Sequence, residues 1–174
     1  IEGTFKDGKG NGLYSTWYEN GEKKSEVTFK DGKKVGVWTS WHKGGEKLKE
    51  GTYKDGKEDG IWIHWHENGQ KDWEVTYKDG KLDGLCISWH KNGRNKDEGS
   101  YKDGKRDGKW TYWRDNGQKH EEGTYKNGEV NGKWIRWWDN GKKACEGIKR
   151  QNKKGVYYNG KWTSWYPDGQ KQEE

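Results

Sequence analysis

The chain has 174 residues, of which only 26% are hydrophobic while 37% are charged, so its composition excludes the large apolar core of an ordinary globular domain. Its 14 Trp and 10 Tyr also exclude a disordered chain, because disordered segments are poor in aromatic residues. The net charge of +6 comes from lysines interspersed with Asp and Glu, which argues against nucleic acid as a partner.

The predicted elements recur with a period of 24 residues. The recurring tryptophans are Trp17, Trp41, Trp65, Trp89, Trp113 and Trp137. The recurring glycines are Gly12, Gly36, Gly60, Gly84, Gly108 and Gly132. Each of seven copies opens with a glutamate, near residues 2, 26, 50, 74, 98, 122 and 146, and the last copy carries an insertion within residues 149–158. We therefore predict a single repeat array over residues 1–174.

Turn signals divide each copy into two strands. In the first copy, a strand around Phe5 precedes a loop from Asp7 to Gly12, and a strand around Tyr14 precedes a loop at Asn20-Gly21 and a strand around Val27. Asp-Gly and Asn-Gly favour primed hairpin turns, and the aromatic and Thr-rich segments favour strands. We expect Tyr14 to lie opposite both Phe5 and Val27. The prediction is an all-β fold, an elongated antiparallel meander of about 14 strands in which seven stacked hairpins form a curved single sheet.

Side chains alternate between the two faces of a strand, so this register also predicts which residues share a face. In the third copy, one face carries Tyr53, Trp62, His64 and His66, with Gly51 between the large side chains. The other face carries Glu50, Thr52, Lys54, Ile61, Ile63 and Trp65. The same register puts Trp38 over Gly51 and Trp110 over Gly123, where a ring would support a cross-strand glycine.

The pattern YKDGKxDGxWxxWxxNGxK resembles the MORN-variant repeat of bacteria, a relative of the membrane occupation and recognition nexus repeat. It is clearest at Tyr53 to Lys71 and Tyr101 to Lys119, and it extends over almost all of residues 1–171. The resemblance implies a curved single sheet with an aromatic groove, used as a scaffold. The family includes exported bacterial proteins and proteins labelled as antitoxin or immunity components, and its eukaryotic relatives are associated with scaffolding and anionic lipids. The last copy departs from the pattern at Lys149, Gln151 and Asn152.

Candidate metal and catalytic groups have simpler explanations. His42, His66 and His90 share one slot in three successive copies, but copies about 10 Å apart cannot hold one ion through bonds of about 2 Å. Paired acids such as Asp55 and Asp59 adjoin turn glycines, so a turn-forming role accounts for them better than calcium does. No Ser/His/Asp or Cys/His arrangement stands out in the sequence. We predict no catalytic residue, metal or cofactor, and hence no enzyme.

The leading functional prediction is a protein-interaction scaffold or binding module that uses the aromatic face of the sheet. The predicted partner-binding residues are Trp38, Tyr53, Trp62, His66, Tyr77, Tyr101, Trp110 and Trp134. Two alternatives stay open, a cell-surface binder of glycan or anionic lipid and an immunity protein that binds a toxin. The resemblance favours an exported or cell-envelope protein, with a cytoplasmic location left open. The first and last strands offer edges through which the chain could also self-associate.

Overall fold

The computed structural model describes residues 3–152 and 155–172, and all of their regular secondary structure is β-strand. The strands are β1 (Phe5–Lys6), β2 (Lys9–Gly10), β3 (Gly12–Trp17), β4 (Lys23–Lys30), β5 (Lys33–Trp41), β6 (Lys47–Lys54), β7 (Lys57–Trp65), β8 (Lys71–Lys78), β9 (Lys81–Trp89), β10 (Asn95–Lys102), β11 (Lys105–Trp113), β12 (Lys119–Lys126), β13 (Glu129–Trp137), β14 (Lys143–Asn152), β15 (Gly155–Tyr158) and β16 (Thr163–Ser164).

Strands β3 to β16 form one 14-stranded antiparallel sheet. Neighbours in the sheet follow chain order from β3 to β15, β16 pairs with β14, and β1 and β2 form a separate two-stranded sheet. The predicted antiparallel meander is therefore confirmed. Two compact units make up the chain, Ile1–Asp83 and Gly84–Glu174, with their boundary inside β9. The single array over residues 1–174 stays a prediction.

The first turn of each of the first six copies is a two-residue primed turn, as the Asp-Gly and Asn-Gly signals predict. Asp55 has a φ of 51° and Gly56 a φ of 85°, and both values are positive as such a turn requires. The predicted long loop from Asp7 to Gly12 is wrong, because Phe5 already pairs with Gly10. Tyr14 consequently does not lie opposite Phe5, although their rings meet edge to face with centroids 5.9 Å apart.

A bulge after this turn takes up the residues that the sequence assigned to a loop. Between the pairs Thr52–Asp59 and Glu50–Ile63, the single residue Gly51 faces residues 60–62. Gly60 accommodates the bend with a φ of 77°, a backbone conformation that glycine adopts at little cost.

The second turn differs from the prediction, but the pairing beyond it does not. At Asn20-Gly21 only the glycine has positive φ, 85°, and the amide of Gly21 donates to the carbonyl of Tyr18 at 3.0 Å. The loop therefore has three residues instead of two, the arrangement of a type I turn followed by a left-handed glycine. A register shift one pair further on compensates for the extra residue. Tyr14 pairs with Val27 as predicted.

The core of each unit lies on the aromatic face of the sheet. Buried apolar side chains are Val27, Trp62 and Val75 in the first unit and Cys86, Trp110, Val130 and Trp134 in the second. Tyr53 meets Trp62 edge to face at 5.1 Å, which confirms that these two residues share a face. Neighbouring rings on the same face contribute to this burial, since Trp38 and Tyr77 also contact Trp62.

The sequence predicts correctly which tryptophan pairs with which glycine across strands, but not which ring covers each glycine. Trp38 does pair with Gly51, and Trp110 with Gly123. However, the ring that covers Gly51 belongs to Trp62, and a Cβ added to that glycine would overlap it. Trp110 likewise covers Gly99 instead of Gly123. The bulge causes this difference, because it sets each tryptophan across from the glycine of its own hairpin.

The last copy keeps the tryptophan slot despite its insertion. β14 and β15 form a lengthened hairpin in which Lys149 pairs with Tyr158. The chain then returns so that Trp162 covers Gly147, as Trp62 covers Gly51. Ile1, Glu2, Glu173 and Glu174, on which the predicted self-association rests, lie outside the described residues, and so does the glutamate that opens the first copy. Across the described residues, no helix is long and apolar enough to cross a membrane.

Candidate functional site: the aromatic face and its embedded cations

In the first unit, the aromatic face holds a lysine between two tryptophans. The Nζ atom of Lys49 lies 5.0 Å from the ring centroid of Trp62 and 5.0 Å from that of Trp73. Burial lowers the pKa of Lys49, and the nearby carboxylate of Glu58 opposes that shift. Attraction between the ammonium and the faces of the rings offsets part of the loss of solvent.

A histidine pair extends this cluster. His64 stacks on Trp73 with ring centroids 5.3 Å apart and planes 6° from parallel. One carboxylate oxygen of Asp72 is hydrogen-bonded to Nδ1 of His64 at 3.1 Å. The other lies 3.3 Å from Nε2 of His66 without forming a hydrogen bond. Burial lowers the pKa of His64, although Asp72 favours its charged form. Within residues 3–152 and 155–172, no three His, Cys, Asp or Glu side chains converge as a metal site.

In the second unit, an arginine occupies the corresponding aromatic environment. The guanidinium of Arg106 lies 4.3 Å from the ring centroid of Trp110 and 5.4 Å from that of Tyr125. It donates to the hydroxyls of Tyr112 at 3.0 Å and Tyr125 at 3.3 Å. Burial disfavours the charge on Arg106, but hydrogen bonding with Tyr101 and Tyr125 outweighs it and raises the pKa of the arginine. A fixed, permanently charged group thus lies on an apolar surface.

In the last copy, Lys149 is likewise a cation surrounded by aromatic rings. This residue occupies the slot that holds an aromatic ring in other copies, and its Nζ lies 4.6 Å from the ring centroid of Trp134 and 5.8 Å from that of Trp162. Glu121 lies 3.6 Å from the ammonium. Burial lowers the pKa of Lys149, and Glu121 opposes that shift. A cation has here replaced a ring without loss of contact to the neighbouring tryptophans.

The opposite face carries a recurring ion pair between lysine and glutamate. Five lysines each pair with the glutamate three residues later at 2.5–2.9 Å. These pairs are Lys23–Glu26, Lys47–Glu50, Lys71–Glu74, Lys119–Glu122 and Lys143–Glu146. Such half-exposed pairs are individually weak. Four of these lysines also lie 5.6–5.8 Å from a tryptophan ring centroid, whereas Lys49 and Arg106 on the aromatic face approach ring centroids more closely, at 5.0 Å and 4.3 Å.

The slot of His42, His66 and His90 has a structural role that the sequence did not reveal. His42 Nε2 lies 3.3 Å from the carbonyl oxygen of Trp65, and His90 Nε2 lies 3.0 Å from that of Trp113, in each case 23 residues further on. Tyr18, Arg114 and Trp138 make the equivalent contact in other copies. In these five copies the slot joins one copy to the next through side chains of different types, whereas Nε2 of His66 lies near Asp72 of its own copy.

The chain matches the MORN repeat variant family over residues 11–31, 34–55, 58–79, 106–127 and 158–174, which together exceed half of its length. The chain belongs to this family. A search of the curated proteins found no significant match. MORN repeats generally serve as binding or scaffold modules.

The predicted binding residues divide into two groups in the MORN sheet. Trp62 and Trp110 are each 1% exposed and Trp134 is 5% exposed, so these rings pack the sheet in the free chain. The remaining five residues are half-buried and reach the surface: Trp38, Tyr53, His66, Tyr77 and Tyr101. Binding by the aromatic face stays a prediction.

The sequence prediction included Trp62 and Trp110 but missed the cations Lys49 and Arg106 and two further rings that contact them, Trp73 and Tyr112. Lys49, Trp73, Arg106 and Tyr112 all occupy slots where the MORN copies of this chain differ from one another. That variability was the available signal, because a repeat keeps its packing positions constant and places specific chemistry where copies diverge. The slot of Arg106, for example, holds Lys34, Glu58 or Leu82 in other copies.

Proposed function

We propose that this chain is a non-enzymatic protein-binding module whose aromatic face binds acidic segments of a partner protein. The observation that carries the proposal is the half-buried pair of cations, Lys49 and Arg106, each held against aromatic rings on that face. Five lysines of the other face are paired with glutamates at 2.5–2.9 Å.

Partial desolvation strengthens the attraction between these cations and a carboxylate. A carboxylate that approaches a cation fixed in an apolar surface interacts in a lower effective dielectric than one that meets a freely solvated lysine. Arg106 is already oriented by Tyr112 and Tyr125, so little side-chain entropy is lost when it binds. Tryptophan, tyrosine and arginine are also the residues that contribute most to binding energy at protein interfaces.

The family resemblance extends this proposal to a biological setting. We propose a bacterial, exported or cell-envelope protein, of which an immunity component that binds a toxin would be one form. Glycans and anionic lipids are the alternative ligands, since rings stack on sugars and lysines attract lipid phosphates.

The test is a selection of displayed random peptides against the full chain, followed by affinity measurement on the peptides recovered. We expect peptides rich in Asp and Glu, and we expect Arg106→Gln to weaken their binding at least tenfold. Lys109→Gln, which removes a cation from the opposite face of the same strand, is the matched control and should bind normally. Unchanged affinity in Arg106→Gln would contradict the proposal.

Vesicles and glycans provide the parallel arms of this experiment. Vesicles containing anionic lipid, neutral vesicles and a panel of soluble oligosaccharides are titrated with the same three proteins. If only anionic vesicles or only a sugar bind, and this binding depends on Arg106, the partner class in the proposal is wrong.

A further inference from the structure

The second unit contains a cavity of about 450 Å³ whose wall combines cations and indole rings. Its lining includes Arg114, His120, Arg136, Trp138 and Trp162. This volume lies within the usual range of small-ligand sites, which are mostly apolar and contain a few converging polar groups. None of these residues has a part in the function proposed above, so the two proposals stand independently.

Arg114 is fixed in place and still has bonding capacity. Its NH2 group donates to the carbonyl oxygen of Trp137 at 3.1 Å and pairs with Asp139 at 2.8 Å. Its Nε atom is buried and has no hydrogen-bond partner. Arg114 is thus held by two contacts, and its guanidinium, which carries five N–H donors, keeps donors for a further acceptor.

His120 and Arg136 add to the same wall. The Nδ1 atom of His120 is also buried and without a partner. Arg136 is half exposed and its Nε lies 3.3 Å from Glu121, so only part of its guanidinium is engaged. Three nitrogen-rich side chains, Arg114, His120 and Arg136, therefore line the cavity.

We propose that this cavity binds a carboxylate carried on a flat apolar group, with Arg114, Arg136 and His120 holding the carboxylate and Trp138 and Trp162 holding the apolar part. A planar carboxylate matches the fork of an arginine guanidinium, and indole rings favour flat apolar groups. Either a small aromatic acid or a peptide that ends in phenylalanine presents this chemistry.

The charge of the wall favours a single negative charge. Glu121 compensates Arg136 and Asp139 compensates Arg114. Asp139 is 84% exposed, so its ion pair is weak and an incoming carboxylate can replace it on Arg114. A dianion such as phosphate would leave excess negative charge beside Glu121.

The same groups make binding depend on pH. In the free chain, burial and the charges of Arg114 and Arg136 lower the pKa of His120, while Glu121 and Asp139 oppose this shift. A carboxylate in the cavity favours the protonated imidazole, so binding takes up a proton. We therefore expect tighter binding at pH 5.5 than at pH 7.5.

The experiment is a titration of the full chain followed by ¹H–¹⁵N NMR of the arginine Nε–H and tryptophan Nε1–H groups. The probes are 3-phenylpropionate, its neutral amide, inorganic phosphate, and a hexapeptide ending in phenylalanine with a free or an amidated C-terminus. We expect saturable shifts of Arg114 and Trp162 with the two carboxylates, and binding at least tenfold weaker with the amides and phosphate. Tighter binding of the peptide would identify a protein C-terminus as the source of the carboxylate, and tighter binding of 3-phenylpropionate would identify a small acid.

Three variants complete the test. Arg136→Gln should weaken 3-phenylpropionate binding at least tenfold, and Arg136→Lys should retain part of it. Arg94→Gln alters an exposed arginine of the same unit outside the cavity wall, and it should bind like the wild-type chain. The ¹H–¹⁵N spectra of the variants verify that each remains folded. Equal binding of the amide, equal binding of phosphate, or an Arg136→Gln variant with undiminished affinity would overturn the proposal.

Discussion

Two hairpins of the first unit have the same turns but pack their tryptophans differently. In hairpin β6–β7, Gly51 allows Trp62 to lie on the sheet, where it is 1% exposed. In hairpin β4–β5, Val27 fills the glycine position and is itself buried, with 7% exposure. Trp38 is only half-buried and stacks on Trp62, with centroids 5.6 Å apart.

This difference shows that one side chain decides whether a copy contributes a core ring or a surface ring. A valine occupies the space that the indole would otherwise cover, so the ring moves outward and packs on its neighbour. The repeat shows a third combination at Val75 and Cys86, where a small residue stands in the tryptophan slot. Copies of one template can thus supply either packing or exposed aromatic surface.

The largest expected effect comes from truncating the two rings. Trp62→Ala should lower the free energy of unfolding by about 3–5 kcal/mol, the usual cost of removing a buried aromatic side chain. Trp38→Ala should cost roughly half as much, because part of that ring is already solvated. Urea denaturation measures both variants. Equal losses would show that the two rings pack equivalently.

Replacing Gly51 with valine should have the next largest effect on the free energy of unfolding. Gly51→Val forces the Trp62 ring away from the sheet and should cost about 1–3 kcal/mol, as overpacking usually does. Adding Trp62→Cys recreates the combination found at Val75 and Cys86. We expect the double variant to lose less stability than the sum of the single variants in a double-mutant cycle. If the two losses of stability were strictly additive, the valine at position 51 and the ring of Trp62 would not compete for the same space.

Substitutions in the first turn should lower the free energy of unfolding equally in hairpins β4–β5 and β6–β7. Gly32 and Gly56 have φ values of 80° and 85°, a region in which a residue with a Cβ is strained by about 1–2 kcal/mol. We expect Gly32→Ala and Gly56→Ala to lower the free energy of unfolding equally, whichever residue fills the glycine position. A clear difference between them would mean that the turn and the ring slot are coupled.

The smallest expected effect concerns pH and only one of the two hairpins. Burial lowers the pKa of His64 in the folded chain, so the unfolded chain binds the proton more readily. The contribution of His64 to stability is therefore present above its unfolded pKa of about 6.5 and is lost as the pH falls through the folded value. We expect His64→Gln to reduce the decrease in melting temperature between pH 7.5 and pH 5.5. An unchanged pH dependence would exclude His64 as its source.

Much of the fold follows from local rules that the sequence states directly. The period of 24 residues defines the copies, and Asp-Gly specifies a turn with two positive φ values. Alternation along the strands placed Tyr53 and Trp62 on one face, and the pairing of Tyr14 with Val27 was predictable because the register shift cancels the longer loop.

Only the tertiary structure determined the features that depend on contacts between neighbouring strands, namely the bulge, the ring over each glycine and the positions of the cations. In hairpins β4–β5, β6–β7, β10–β11 and β12–β13 a bulge replaces the expected loop, because pairing begins immediately beside the turn. In β6–β7 the surplus residues then lie opposite Gly51. That bulge determines which tryptophan covers which glycine. The positions of Lys49 and Arg106 against their rings also required the structure, because each cation touches residues from other strands and spacing along one chain does not encode that distance.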